Sequence, residues 1–356
     1  MRFGIMFFAA PDGAAASETF DTMFAAAKLA DRGGLSAVWT PERHFDRFGG
    51  VFPNPALTSA ALAMTTDSLQ LRAGSLISPL HNTVRMAEEW SVVDNLSRGR
   101  AAVSFGAGWN VNDFVLSPQT YADRRDVMLA QLDDLRRLWR GEAIELPNGL
   151  GHPVPVRLFP RPVQRELPIW LTSSGNPQTF VDAGARGTNV LTHLIGQDVD
   201  QLTAKIKLYR EARAGTGLDP ATGVVSLMLH THLADDEAEA KATTRTPFRE
   251  YLRSAVSLET KAAKGGGTIS GGHRMPAEDL PDDVVEDLLD LTCDRYLRDG
   301  SLIGSPESCR TVVERFAAAG VDEIACLVDF GLSAERILAG LPPLITLARQ
   351  FSRTRP

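Results

Sequence analysis

The sequence predicts a (β/α)8 barrel, an α/β fold in which eight parallel strands alternate with helices. Two observations favour this fold. Short apolar runs rich in β-branched residues alternate along the chain with longer amphipathic stretches, a pattern typical of βα units. Eight strands can be counted, and a chain of 356 residues exceeds the roughly 250 that such a barrel commonly needs. The count favours one barrel domain over residues 1–356, with insertions at about 141–168 and 235–300, rather than two doubly wound domains.

The first half of the chain predicts four βα units. Their strands are predicted at residues 2–9, 37–40, 69–78 and 101–106. Their helices are predicted at residues 18–32, after Pro55 as far as Met64, at 82–96 and at 121–140. In the first helix, Phe20, Phe24 and Ala27 recur at helical spacing, and Gly33–Gly34 ends it. Each helix returns the chain for the next parallel strand.

The second half predicts four further units and contains both insertions. Its strands are predicted at residues 169–172, 189–192, 224–233 and 323–328. Its helices are predicted at residues 177–185, 199–214, 306–319 and 334–351. The insertion at 141–168 is rich in proline without a helical period, whereas the one at 235–300 is mostly helical. Within the latter, residues 264–272 contain five glycines in nine positions, which predicts a mobile lid.

The composition is that of a globular protein and argues against several functions. With 44% hydrophobic and 23% charged residues the chain can bury a large core, and a net charge of −7 without a basic block disfavours nucleic-acid binding. Three widely spaced cysteines without a C-x-x-C predict neither disulfides nor a zinc site. No apolar run approaches the ~18 residues that span a bilayer, and the N-terminal one is too short for a signal peptide. We expect a cytoplasmic protein with no metal and no membrane partner.

Candidate site residues follow the strands, because a barrel carries its catalytic groups at the C-terminal strand ends. Residues 40–45 (TPERHF) bring a cation, a carboxylate and an imidazole together, as either a catalytic or a salt-bridged loop. The third strand contains Gly74–Ser75, which indicates close approach by another group or tight strand packing. Residues 105–114 (FGAGWNVNDF) would admit a flat ligand against the backbone, although this G-x-G is not a dinucleotide fingerprint.

The end of the fifth strand is a second candidate site. Residues 172–176 (TSSGN) precede a helix that begins at Pro177, so hydroxyls, free N–H groups and the helix dipole would stabilise a phosphate. The same residues would equally serve as an ordinary helix cap. His81 either faces a ligand or leads into the next helix. His230 and His232 share one face of a strand without a third ligand, so no metal site is predicted.

In combination, these motifs resemble the luciferase-like flavin monooxygenases, and the resemblance runs along most of the chain. Residues 40–45 are similar to the acid–histidine loop after that family's second strand. Residues 71–114 are the most specific part, and residues 304–307 (GSPE) with 320–323 (GVDE) are similar to the family's closing βα unit. The resemblance implies a (β/α)8 barrel, often dimeric, that binds FMN at the C-terminal ends of the strands.

The resemblance also assigns roles to individual residues. The residues expected to bind the cofactor are Thr40, Gly74, Ser75, Asn110, Ser173, Ser174 and Gly175. Gly74–Ser75 would be the non-prolyl cis peptide beneath the isoalloxazine, and residues 173–175 the phosphate cradle. Trp109 and Asp113 are expected to contact the substrate.

The implied activity is that of an FMN-dependent monooxygenase, which receives reduced FMN from a separate flavin reductase, forms a flavin C4a-peroxide with O2 and oxygenates an organic substrate. His44 would hydrogen-bond to the peroxide or handle a proton, and Arg43 would hold an anionic group. The sequence looks most like the subgroup associated with peptide and polyketide synthetases in natural-product biosynthesis, where a carrier protein frequently holds the substrate. Arg43 stands where the bacterial luciferases have a second histidine and Ala107 where they have an arginine, so long-chain aldehyde light emission is not expected.

Two alternatives stay open. A deazaflavin (F420)-dependent hydride-transfer enzyme uses the same barrel, although its acidic cofactor tail favours a basic channel and no cluster of Lys and Arg stands out. A non-catalytic flavin-binding barrel would store cofactor or serve as a scaffold beside a synthetase. Arg43 and His44 beside a lid candidate argue against the non-catalytic protein.

Overall fold

The computed structural model describes residues 1–9, 15–264 and 282–352. The strands are β1 (Arg2–Met6), β2 (Ala37–Thr40), β3 (Gln70–Ile77), β4 (Ala101–Gly106), β5 (Ile144–Pro147), β6 (Pro153–Val156), β7 (Ile169–Ser173), β8 (Asn189–His193), β9 (Val225–Leu233), β10 (Leu302–Gly304) and β11 (Glu323–Leu327). The helices are α1 (Ala16–Gly33), α2 (Pro55–Ala63), α3 (Thr83–Ser97), α4 (Arg124–Arg140), α5 (Pro177–Ala185), α6 (Val199–Gly215), α7 (Glu237–Lys264), α8 (Asp282–Arg295), α9 (Pro306–Ala318), α10 (Ala334–Ala339) and α11 (Leu341–Ser352). The predicted lid at 264–272 lies outside the described residues except for Lys264.

Eight of these strands form a closed parallel barrel, as the sequence predicts. The strand order is β11–β1–β2–β3–β4–β7–β8–β9, and β9 pairs in turn with β11. Each pairing is parallel, so all eight C-terminal ends open on the same face of the barrel. This face therefore collects the loops that follow β2, β3, β4 and β7, where the candidate site residues lie.

Three details differ from the expectations. The insertion at 141–168 contains an antiparallel hairpin of β5 and β6, which the prolines at Pro147, Pro153 and Pro155 concealed in the sequence. The first strand ends at Met6 rather than at residue 9: the Phe7 N–H still donates to the backbone oxygen of Trp39 on β2, but the N–H groups of Phe8 and Ala9 donate to the carboxylate of Asp329. The predicted helix at 334–351 is two helices, because prolines at the start of α11 cannot continue the α10 hydrogen-bond ladder.

A buried ion pair lies inside the barrel, beneath the C-terminal face. Arg72 of β3 donates through Nη1 and Nη2 to the carboxylate of Glu323 on β11, and both side chains are almost completely buried. The guanidinium carbon of Arg72 lies 4.6 Å from the ring centre of Trp39 and 4.3 Å from that of Trp170. Burial raises the pKa of Glu323, but the charge of Arg72 outweighs it and holds that pKa below its ordinary value. The pair and the two indoles thus form a solid floor beneath the site.

Gly74 connects this floor to the candidate site. A Cβ atom added at Gly74 would lie 3.0 Å from Cε3 of Trp39, so a larger residue would press on the indole. Among the described residues no helix is long and apolar enough to cross a membrane.

Candidate active site

Glu42, directly after β2, is the centre of a buried hydrogen-bond cluster. Its Oε1 lies 3.0 Å from Nε2 of His44 and 2.6 Å from Nε2 of His81, while its Oε2 accepts the Ile77 N–H at 2.6 Å. Burial raises the pKa of Glu42, but the hydrogen bonds from both histidines and from Ile77 together hold it below its ordinary value. Glu42 is therefore ionised at neutral pH and acts as an acceptor for both imidazoles.

This cluster determines which nitrogen of His44 is available. Because an ionised carboxylate only accepts hydrogen bonds, Nε2 of His44 carries the proton, and Nδ1 of the neutral ring carries the lone pair. In the described part of the chain Nδ1 has no hydrogen-bond partner, and the side chain is only 9% exposed. His44 thus has the arrangement of a positioned proton acceptor, held from behind by a carboxylate.

His81, for which the sequence allowed two roles, belongs to the same cluster. Burial lowers the pKa of His81, but the hydrogen bond and the charge of Glu42 outweigh it and raise that pKa above its ordinary value. The contact joins the loop after β2 to the segment after β3. Sequence reasoning marked the acid and both imidazoles but did not predict that one carboxylate holds them.

Arg43 projects from the same loop and is positioned by packing. Its guanidinium carbon lies 3.9 Å from the ring centre of Phe8 and 5.4 Å from that of Phe48. A Cβ atom added at Gly49 would come within 2.9 Å of Cγ of Arg43, so that glycine makes room for the arginine stem. Its Nε is buried without a hydrogen-bond partner, and among the described residues no carboxylate forms an ion pair with it. Burial lowers the pKa of the Arg43 guanidinium.

The loop after β4 adds an acid to this face. Asn110 donates through Nδ2 to Oδ1 of Asp113 at 2.8 Å and accepts the N–H of Asn112 at 3.1 Å. Burial raises the pKa of Asp113 to about 6, although His44 and Arg43 oppose the shift. Asp113 is therefore close enough to influence the cluster electrostatically, whereas both polar groups of the Asn110 side chain are already used within the loop. Trp109 is partly buried against the core.

Residues of β3, β4 and β7 lie between the loop after β2 and the end of β7. The Gly74–Ser75 peptide bond is cis, as the resemblance implies. The Ser75 hydroxyl lies 2.5 Å from that of Thr172, which in turn lies 2.6 Å from that of Ser104. Thr40 does not line this face, because it is fully buried and its hydroxyl donates to the backbone oxygen of Arg72 at 3.4 Å. The expectation that Thr40 contacts a cofactor is therefore not supported by its position.

The end of β7 presents a different set of donors. The Ser173 hydroxyl is buried and accepts the N–H of Gly175 at 3.2 Å, whereas the Ser174 hydroxyl has no partner among the described residues. Gly175 has φ +100°, and a Cβ atom added there would lie 3.4 Å from Nζ of Lys205. The nine-residue helix α5 begins two residues later, with Asn176 as its N-cap. These residues form a small open cradle at a helix N-terminus.

Lys205, on α6, is the residue of this cradle that sequence reasoning missed. Its ammonium donates to Oε1 of Gln197 at 2.8 Å, and burial lowers its pKa. In the described part of the chain it forms no ion pair with a carboxylate. His193, nearby, has its pKa lowered to about 4 by burial and by Lys205, so it remains neutral. A single lysine on an amphipathic helix gives no sequence signal, and only the fold brings it beside the end of β7.

His230, which the sequence placed on one strand face with His232, is enclosed by aromatic rings. His230 lies among Phe248, Tyr251 and Phe330, with ring centres 4.6, 5.0 and 5.5 Å away, and burial lowers its pKa to about 3. No group of three or more metal-binding side chains occurs among the described residues.

Known proteins resemble this chain in sequence and in fold. The family model for luciferase-like monooxygenases matches residues 1–323. The oxygenase component of the flavin-dependent trigonelline monooxygenase of Acinetobacter baylyi is 26% identical over 341 residues, which cover 92% of this chain and 88% of the relative.

Two solved structures share the fold at lower identity. The oxygenating constituent of 3,6-diketocamphane monooxygenase from Pseudomonas putida, a type II Baeyer–Villiger monooxygenase in complex with FMN, has a TM-score of 0.75 and 19% identity over 100% of this chain and 99% of that chain. An F420-dependent secondary alcohol dehydrogenase in complex with an F420–acetone adduct has a TM-score of 0.71 and 18% identity over 98% and 100%.

Proposed function

Because the chain belongs to the luciferase-like monooxygenase family, we propose that it is an FMN-dependent oxygenase, which receives reduced FMN from a separate reductase and oxygenates an organic substrate with O2. One observation carries the proposal. A positioned imidazole, His44, and a cradle of phosphate donors at the end of β7 open on the same face of the barrel. This is the combination that a phosphate-anchored redox cofactor requires: an anchor at one end and a proton-handling group elsewhere.

The residues of the cradle fit the phosphate of FMN. The unpartnered hydroxyl of Ser174, the ammonium of Lys205 and the N-terminus of α5 all favour a dianion. Gly175 has φ +100°, a backbone conformation that glycine adopts without strain. Lys205 is already held by Gln197, so the positive charge is in place before a ligand arrives.

The chain's own residues supply binding and proton handling. When bound, the reduced flavin supplies the electrons that activate O2. His44 holds or accepts a proton at Nδ1, and the ionised Glu42 stabilises the imidazolium that results. Phe8 and Phe48 pack around Arg43 and exclude water from this side of the face.

The partners form a further part of the proposal. The sequence contains no dinucleotide fingerprint that would bind NAD(P)H beside the flavin. A separate reductase would therefore supply the reduced flavin. A relative named as an oxygenase component supports a division of this kind. We further propose that a carrier protein presents a natural-product substrate, which pull-down with substrate-loaded carrier protein tests. We also propose a homodimer, which light scattering tests.

Anaerobic titration tests the cofactor. We expect saturable binding of reduced FMN, weaker binding of oxidised FMN, and no oxidation of NAD(P)H by the pure protein with FMN. Steady NAD(P)H oxidation without a reductase would contradict the two-component proposal.

Parallel titration with F420 separates the hydride-transfer alternative. Tighter binding of F420 than of reduced FMN, followed by hydride exchange with an alcohol, would replace the proposal. Saturable binding of reduced FMN without accelerated O2 uptake in the presence of any candidate substrate would favour the non-catalytic barrel.

A further inference from the structure

Arg43 combines a fixed position with a buried Nε that has no hydrogen-bond partner among the described residues, although Asp113, Asp46 and Asp329 are near enough to attract its charge. Two aromatic rings and the space above Gly49 hold its side chain, and the Arg43 N–H donates to the backbone oxygen of Phe52 at 2.9 Å. Arg72, by contrast, pairs with the buried carboxylate of Glu323. For Arg43, the buried Nε has no acceptor among the described residues, and no described carboxylate lies in ion-pair contact. An acceptor that reached this group would remove the cost of leaving a buried donor unpaired.

We infer that Arg43 binds the carboxylate of the substrate, so that the protein acts on organic acids with an apolar body; this inference rests on the proposed oxygenase function. A guanidinium offers parallel N–H donors that match the two oxygens of a carboxylate. Stacking on Phe8 engages the flat face of the guanidinium and does not use its in-plane N–H donors.

The surroundings of Arg43 favour an apolar body attached to the acid. Phe48 contacts the rings of both Phe8 and Tyr251, with centroids 6.2 and 5.1 Å away. Tyr251 also contacts His230, whose ring is neutral because burial lowers its pKa to about 3. The charge of Arg43 therefore stands at the border of an aromatic surface that carries no second cation.

The acid of the cofactor is not the expected partner of Arg43. The phosphate donors Ser174 and Lys205 are grouped around β7, whereas Arg43 follows β2. In the barrel order, β3 and β4 separate these two strands. Two anion-binding positions on one face suit a cofactor phosphate and a substrate carboxylate.

Matched pairs of a carboxylate and its amide test the inference. Their affinities are measured by calorimetry with and without FMN. The probes are benzoate with benzamide, cinnamate with cinnamamide, and hexanoate with hexanamide. In the unmodified protein we expect at least one carboxylate to bind about tenfold or more tightly than its amide, as expected for a charge-assisted contact. Arg43→Met should reduce that preference to about twofold or less, with FMN affinity unchanged.

Arg47→Met is the matched control, because Arg47 is an exposed cation of the same loop. It should retain the preference for the carboxylate. The inference is overturned if no carboxylate exceeds its amide, if Arg43→Met keeps the preference, or if Arg43→Met loses FMN affinity instead.

The same samples separate this failure from failure of the oxygenase proposal. FMN titration and O2 uptake with reduced FMN are measured on the unmodified protein before any acid is added. Loss of the carboxylate preference with intact flavin chemistry refutes only the role of Arg43, whereas absent flavin binding refutes the proposed function.

Discussion

Replacing Glu42 by glutamine keeps the shape of the side chain and removes its charge. The carboxylate accepts two hydrogen bonds from His44 and His81 and a third from the Ile77 N–H. A hydrogen bond to a charged group stabilises by about 1.5–3 kcal/mol, against about 0.5–1.5 kcal/mol for a neutral one. Loss of the charge at three contacts should therefore lower the free energy of unfolding by about 3 kcal/mol.

The substitution should also reverse the tautomer of His44. The buried Ile77 N–H needs an acceptor, so the amide oxygen of the introduced glutamine takes it and the amide NH2 faces the imidazoles. Nε2 of His44 must then accept a hydrogen bond, which moves the ring proton to Nδ1. His44 loses the lone pair that faces the site, and product formation should fall by ~10²–10⁴-fold, the usual range for general acid–base participation.

The stability change should depend on pH, and its sign follows from His81. Glu42 raises the pKa of His81 in the folded state, so that contribution is fully present below the unfolded value of 6.5 and is lost as pH rises through the folded pKa. The difference between Glu42→Gln and the unmodified protein should be larger at pH 6 than at pH 9.

Urea unfolding at the two pH values and ¹⁵N shifts of labelled histidine measure these effects. Glu88→Gln, on the exposed side of α3, is the control and should change neither. A Glu42→Gln variant that loses less than about 0.5 kcal/mol and keeps the Nε2–H tautomer would refute the reasoning about this cluster.

Three further substitutions separate proton handling from cofactor anchoring. His44→Ala should leave FMN affinity unchanged and divert reduced flavin to hydrogen peroxide; an unchanged ratio of product to peroxide per flavin consumed would return His44 to a structural role. Ser174→Asp should abolish FMN binding in a fluorescence titration while stabilising the ligand-free α5 by ~0.3–1 kcal/mol, and near-normal affinity would place the phosphate elsewhere. Lys205→Met should weaken FMN binding by about tenfold and leave riboflavin binding unchanged, whereas the exposed control Lys207→Met should affect neither; equal losses for both flavins would show that Lys205 acts on the fold.

The eight barrel strands were predictable because each carries its signal locally. Strands buried on both faces are continuous apolar runs, and the helices between them end at glycines such as Gly34 and Gly141. The β5–β6 hairpin was missed because its prolines read as loop residues, and the three-residue β10 is too short to show a period.

The candidate site was predictable only as separate segments. The loop at 40–45 and the cradle at 173–175 follow from strand-end position and side-chain chemistry. Contacts between the segments could not be predicted. Glu42 and His81 are 39 residues apart, and no local pattern in the sequence indicates that they form a hydrogen bond. Lys205 and the burial of Thr40 likewise depend on how the barrel closes.

The buried pair of Arg72 and Glu323 has a consequence for how the chain is synthesised. Its members stand 251 residues apart, so the first four strands leave the ribosome long before the counter-ion of Arg72 exists. Until Glu323 emerges, an arginine enclosed by Trp39 and Trp170 would be a desolvated charge without a partner, which opposes closure of any partial barrel. We therefore expect nascent chains that stop before β11 to stay open and protease-sensitive, with stable folding delayed until the last barrel strand has been translated.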